Sequence, residues 1–132
     1  MHAGDTYIRA GKHVKTDPHL WIVISDPSRD TQLVTVNVTS QRSDKDQSCV
    51  LQPGEHEFIG QESVIMYAGA RVVPESVLFA ALKAGVLVSM SRVSAKVLSK
   101  VRAGAIGNDD LPLMAKRMLQ AQGIIPDDTA KP

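Results

Sequence analysis

The chain has 132 residues, 43% of them hydrophobic and 22% charged, which suits one compact domain and excludes an intrinsically disordered chain. Its formal net charge of +1 excludes a uniformly basic nucleic-acid binder, so any charge that meets phosphate must be gathered locally. Cys49, the single cysteine, excludes an intramolecular disulfide and a cysteine-rich metal centre; with no long apolar run near the N-terminus, it points to a cytoplasmic protein that does not span a membrane.

The first half reads as strands. "DTYIRA" (5–10) is a short one, followed by "GKHVKTDP", whose glycine and proline predict an exposed connection. "HLWIVISD" (19–26) is a nearly continuous run of β-branched and aromatic residues, as in a strand buried on both faces. "PSRDT" supplies turn chemistry, and in "QLVTVNVTS" Val34, Val36 and Val38 alternate with Leu33, Thr35, Asn37 and Thr39, so a hairpin is predicted with Thr39 on its more polar face. "QRSDKDQS" (41–48) is a solvated loop, "CVLQPGEHEFI" (49–59) two short strands around a Pro53–Gly54 turn, and "ESVIMYAGARVV" (62–73) a long strand. That makes about six strands before residue 74.

The second half reads as helices. Pro74, Glu75 and Ser76 predict a helix start, with an acid complementing the dipole, and Gly85 is its natural terminator. In "SRVSAKVLSKVRAG", Val93, Val97, Leu98 and Val101 form one stripe, with Arg92, Lys96, Lys100 and Arg102 largely off it. "LPLMAKRMLQAQG" is a third helix ending at Gly123, and "IIPDDTAKP" a frayed tail. Strands first and helices afterwards give an α+β class: one domain over 1–132, with a curved antiparallel β-barrel over 4–73, helices over 74–123 and a tail over 124–132.

The order of motifs resembles the PemK/MazF/Kid family of small SH3-like barrel toxins. It rests on Gly4 and Asp5, then "WIVIS" (21–25), then Val38, Thr39 and Ser40, then "ESVIMYAGARVV", and covers roughly residues 4–85. The resemblance implies a metal-independent endoribonuclease of a toxin–antitoxin module, working as a homodimer without cofactor, with RNA as substrate and an antitoxin protein as partner. It also places the Thr39–Ser40 hydroxyls at the phosphate. Where the family has its catalytic arginine, in an Arg-Pro pair, this chain has His19 and Leu20.

Metal-free RNA cleavage needs a base for the 2′-hydroxyl, an acid for the leaving oxygen and a cation for the phosphorane. His19, at a strand entrance, and His56, just after the Pro53–Gly54 turn, are candidates for an acid–base pair meeting at one barrel rim, with Thr39 as the third catalytic group; each is otherwise an ordinary strand-end or turn histidine. Ser40 and Arg42 are candidate substrate-binding residues, Arg42 through a bidentate phosphate contact. Glu55, His56 and Glu57 make a poor metal site, because neighbours on a strand face opposite ways. Cys49 reads as a small buried residue, with a Cys–His nucleophile as the alternative, and the basic side of the "SRVSAKVLSKVRAG" helix as either a solvated face or a dock for phosphates or an acidic partner. Besides the ribonuclease, a second reading stays open: a barrel without catalysis that binds a nucleic acid or a protein in a regulatory or mobile-element setting.

Overall fold

The computed structural model describes residues 1–10, 19–42 and 44–127; the expected exposed connection over 11–18 and the tail beyond 127 lie outside the described residues. Its described residues form an α+β structure, a curled antiparallel half-barrel of six strands with three helices. The strands are β1 (Thr6–Arg9), β2 (Leu20–Val23), β3 (Gln32–Ser40), β4 (Val50–Leu51), β5 (Ser63–Pro74) and β6 (Leu87–Met90), in the spatial order β4-β5-β3-β2-β1-β6. The helices are α1 (Glu75–Lys83), α2 (Ala95–Ala105) and α3 (Leu113–Ala121).

The hairpin of β2 and β3 forms as its alternation predicts, with Leu20 opposite Val38 and Ile22 opposite Val36. Two expectations need correction. The segment after Pro53 and Gly54 is no strand: Gly54 N–H donates to the Ile59 carbonyl and Ile59 N–H to that of His56, closing tight turns. The sixth strand lies instead at Leu87–Met90, between two helices, and pairs antiparallel with β1 from Thr6↔Met90 to Arg9↔Leu87. Gly85, at φ 76°, ends α1 and frees the chain to turn straight into this strand.

A bulge sets which side chains of β5 face which way. Met66 pairs with Asn37 and Arg71 with Thr35, so Tyr67–Ala70 stand opposite Val36 alone. Three extra residues, an odd number, reverse the alternation: Tyr67 and Ala70 enter the core, and Arg71 emerges on the opposite face beside Thr35. Gly69 makes the bend possible, since a Cβ there would sit 2.7 Å from Asn37 Oδ1.

The main core lies on the face carrying Leu20, Ile22, Val34, Val36, Val38 and Ile65, closed by Val97, Val101 and Ala105 of α2 and by Ala115 and Leu119 of α3. The residues just past α3 are anchored rather than frayed: Ile125 is buried and Ile124 packs against the same core. Gln122 also exchanges two bonds with the Asp26 backbone, accepting from its N–H at 3.1 Å and donating to its carbonyl at 2.7 Å. On the other face a smaller cluster of Tyr7, Val23, Leu33 and Leu78 is sealed by α1.

α2 lies close to the sheet because residue 104 is glycine. Tyr67 Oη donates to the Val101 carbonyl at 2.6 Å, and a Cβ on Gly104 would run into that phenol and come within 3.0 Å of Cys49 Cβ. Gly104→Ala gains about 1 kcal/mol of helix propensity but overpacks a fully buried ring at a cost of about 1–3 kcal/mol. The net expectation is a melting temperature lowered by several degrees in a thermal scan; a rise would show that the helix can shift outward at no cost.

Candidate functional site

The residues singled out in the sequence fall at separate places. His56 is 5% exposed and fully engaged: its Nδ1 accepts from Phe58 N–H at 3.0 Å, which leaves Nε2–H to donate to the Ser91 carbonyl, with Thr6 Oγ1 3.4 Å away. It ties the 52–59 turns to the end of β6. His19 stands just before β2, where Nδ1–H donates to the Val38 carbonyl at 3.1 Å. The two histidines occupy opposite faces and opposite ends of the β1–β2 pair, so they do not meet at one rim.

Thr39 and Ser40 close β3 beside a cavity of about 300 Å³ that also takes in Phe58 and Gln61. Lys45 Nζ donates to Thr39 Oγ1 at 3.1 Å and to the Ser40 carbonyl at 2.7 Å, and Gln61 Nε2 donates to Ser40 Oγ at 2.7 Å. Arg42 does not line this cavity; its guanidinium pairs with the neighbouring Asp44 at 2.9 Å, both side chains about two-thirds exposed. Glu55 accepts from Gln52 N–H and from Lys100, contacts that hold its carboxyl below the usual range, the backbone bond contributing most. Glu57 accepts from Ser91 N–H at 3.0 Å.

The basic residues on and just before α2 are largely paired. Arg92 pairs with Asp5 at 3.2 Å, Lys100 with Glu55 at 3.0 Å, and Arg102 Nε donates to the Ile24 carbonyl at 2.9 Å. Lys96 and Arg92 are the cations of this group that face outward, and Arg92 already pairs with Asp5, which leaves too little charge for a phosphate-docking surface. Cys49 is buried against Tyr67, and burial pushes its thiol above the ordinary range, the reverse of what a nucleophile needs. The expected outcome is that a disulfide reagent such as Ellman's leaves Cys49 unmodified in the native protein and titrates it once guanidinium unfolds the chain. Rapid native labelling would contradict this burial.

A different set of residues converges on the face opposite the main core. Tyr7 and Trp21, direct partners across β1 and β2, stack with ring centroids 6.4 Å apart and planes 6° from parallel. The Arg71 guanidinium, delivered by the bulge, covers the Trp21 ring at 5.0 Å from its centroid, within cation–π range. A groove of about 380 Å³ runs over this stack, with Arg9 and His19 at one side and Val77, Leu78 and Ala81 of α1 at the other. No carboxylate is among the described residues that line it. Burial raises the Tyr7 phenol above its ordinary range, opposed by Thr35 and by the Arg71 charge; the Thr35 Oγ1 is fully buried and has no hydrogen-bond partner among the described residues.

Sequence reasoning passed over Tyr7, Arg9, Trp21 and Arg71. The signal was present in Arg71, a lone charge inside an apolar run just after the small residues Ala68, Gly69 and Ala70, the pattern of a bulged strand that changes face. No family model matches the chain, and comparison with curated proteins finds no match. Among the described residues no helix is long and apolar enough to cross a membrane.

Proposed function

We propose that the chain is a binding module for single-stranded RNA, held in the groove over Trp21. On this reading the curled half-barrel is an SH3-like barrel of the PemK/MazF type, as the motif order implies. One observation carries the reading: a cluster of Tyr7, Trp21 and Arg71 with a second arginine and a histidine beside it and no lining carboxylate. Bases stack on aromatic and guanidinium planes, and arginines pair with the phosphates between them, which is how unpaired strands are held without a globally basic protein. For the second copy and the antitoxin implied by the resemblance, we put forward the exposed apolar start of α3, Leu113 and Met114.

Trp21 is the only tryptophan, so its emission reports this groove alone. Titration with an unstructured RNA octamer is expected to quench it. With Arg9 and Arg71 each neutralising one phosphate, the slope of log K against log salt should be about −1.4, falling by about 0.7 in Arg71→Ala. No quenching at micromolar RNA in low salt would overturn the proposal.

A second reading, cleavage of the bound strand, is favoured by one observation: the Val38 carbonyl holds the His19 ring at the groove that Arg9 and Arg71 also line. In EDTA the same RNA would then yield fragments ending in a 2′,3′-cyclic phosphate, and His19→Ala would slow their formation by about 10²-fold or more. Intact RNA after long incubation leaves the binding module as the sole reading.

A further inference from the structure

The groove has a neighbour. At the end of the sheet the rung of β2 and β3 that carries Leu20 and Val38 divides two cavities: His19 and Trp21 face the groove, while Leu20 and Val38 floor the cavity beside Thr39 and Ser40. The wall between them is thin, since the carbonyl that binds His19 belongs to Val38 itself. The second cavity, at about 300 Å³, has room for a nucleobase with part of its ribose, and the half-buried Phe58 gives it an aromatic side. Lys45, anchored on Thr39 Oγ1 and the Ser40 carbonyl, holds an ammonium at the end of β3, within reach of the linking phosphate of a strand crossing from groove to cavity.

We propose that this cavity reads one base of the strand held in the groove, and that the base is cytosine. The inference rests on the RNA-binding reading above. Its basis is the set of polar groups on the rim. Gln61 Nε2 donates one proton to Ser40 Oγ at 2.7 Å, which leaves the Ser40 hydroxyl proton, the second amide N–H of Gln61 and its Oε1 to meet a base at the rim. Those groups are donor, donor, acceptor. The Watson–Crick edge of cytosine offers its complement: O2 and N3 accept, and the N4 amino group donates. Uracil presents a donor at N3 against the amide N–H. Adenine satisfies the amide pair but has only C2–H opposite Ser40. Guanine meets a like group at its central position in either orientation. Gln61 is therefore a specificity residue of the site, and Ser40 its partner.

Two measurements test this separately from the groove. In the first, labelled hexanucleotides are compared by anisotropy: all-uridine, and the same with the central two positions changed to cytidine, adenosine or guanosine. The cytidine hexamer is expected to bind about tenfold more tightly than the uridine one, the scale of a good bidentate base contact. Gln61→Leu should bring it to the uridine level, and Ser40→Ala should lose part of the preference. Equal binding of all four, or a preference for cytidine that survives in Gln61→Leu, overturns the base pocket while binding that still depends on Trp21 upholds the groove. In the second, cytidine 5′-monophosphate is titrated into ¹⁵N-labelled protein, where the Gln61 side-chain amide should shift and uridine 5′-monophosphate should leave it in place. A Gln61 amide that ignores cytidine monophosphate overturns the pocket whatever the hexamers do. A shifted amide with no hexamer bound counts against the groove alone.

Discussion

Trp21→Ala is expected to weaken binding of single-stranded RNA about 30-fold, inside the ~5–150-fold range that corresponds to about 1–3 kcal/mol for one base–aromatic stack. The indole packs beside Tyr7 and carries the Arg71 guanidinium 5.0 Å from its centroid, so its loss also removes the support of that cation. Arg71→Ala alone should cost about tenfold, and the double variant less than the product, because residues in contact do not contribute independently. Trp21 also packs on the small cluster of Tyr7, Val23, Leu33 and Leu78, so the alanine variant will melt earlier. Binding is therefore measured well below its transition, beside Trp21→Phe, which keeps an aromatic plane and should retain most of the affinity. A Trp21→Ala protein that is folded and binds within about threefold of wild type would remove the stack from the site.

Leu119→Ala is the second large effect expected. This side chain is fully buried between α3 and the sheet, and emptying such a position costs about 2–5 kcal/mol. For a chain of this length, a loss near 3 kcal/mol should lower the melting temperature by about 10 °C in a single cooperative transition. A loss below about 1 kcal/mol, or a separate early transition, would mean that α3 is an appendage to the barrel and that the chain is not one folding unit. Its reciprocal bonds through Gln122 to the β2–β3 turn argue that it is built in.

Much of the sheet was legible because period-two alternation survives wherever one face is covered, as in Val34, Val36 and Val38. Legibility failed where the local pattern was too short or was interrupted. β6 is four residues between a helix terminator and a helix cap, with Val88 43% exposed, and only pairing with β1 makes it a strand. The turns around His56 carry strand-like residues, but backbone bonds within the segment closed them instead. The candidate site was missed for a related reason: an unbroken reading of β5 puts Arg71 out of phase with Thr35, and only the bulge at Tyr67–Ala70 returns it to the face with Trp21. Residue chemistry alone drew attention to His56, whose ring is spent on Ser91 and Phe58.

The place of β1 inside the sheet has a consequence for how the protein is made. Its partner Leu87 follows Arg9 by 78 positions in the chain, so a synthesising ribosome at about 5–20 residues per second completes the second side of β1 roughly 4–16 s after the first strand is polymerised. Until then the Thr6–Arg9 edge is an open template on the nascent chain, and slow codons before residue 87 should raise the yield of aggregate, whereas the same codons after residue 90 should not.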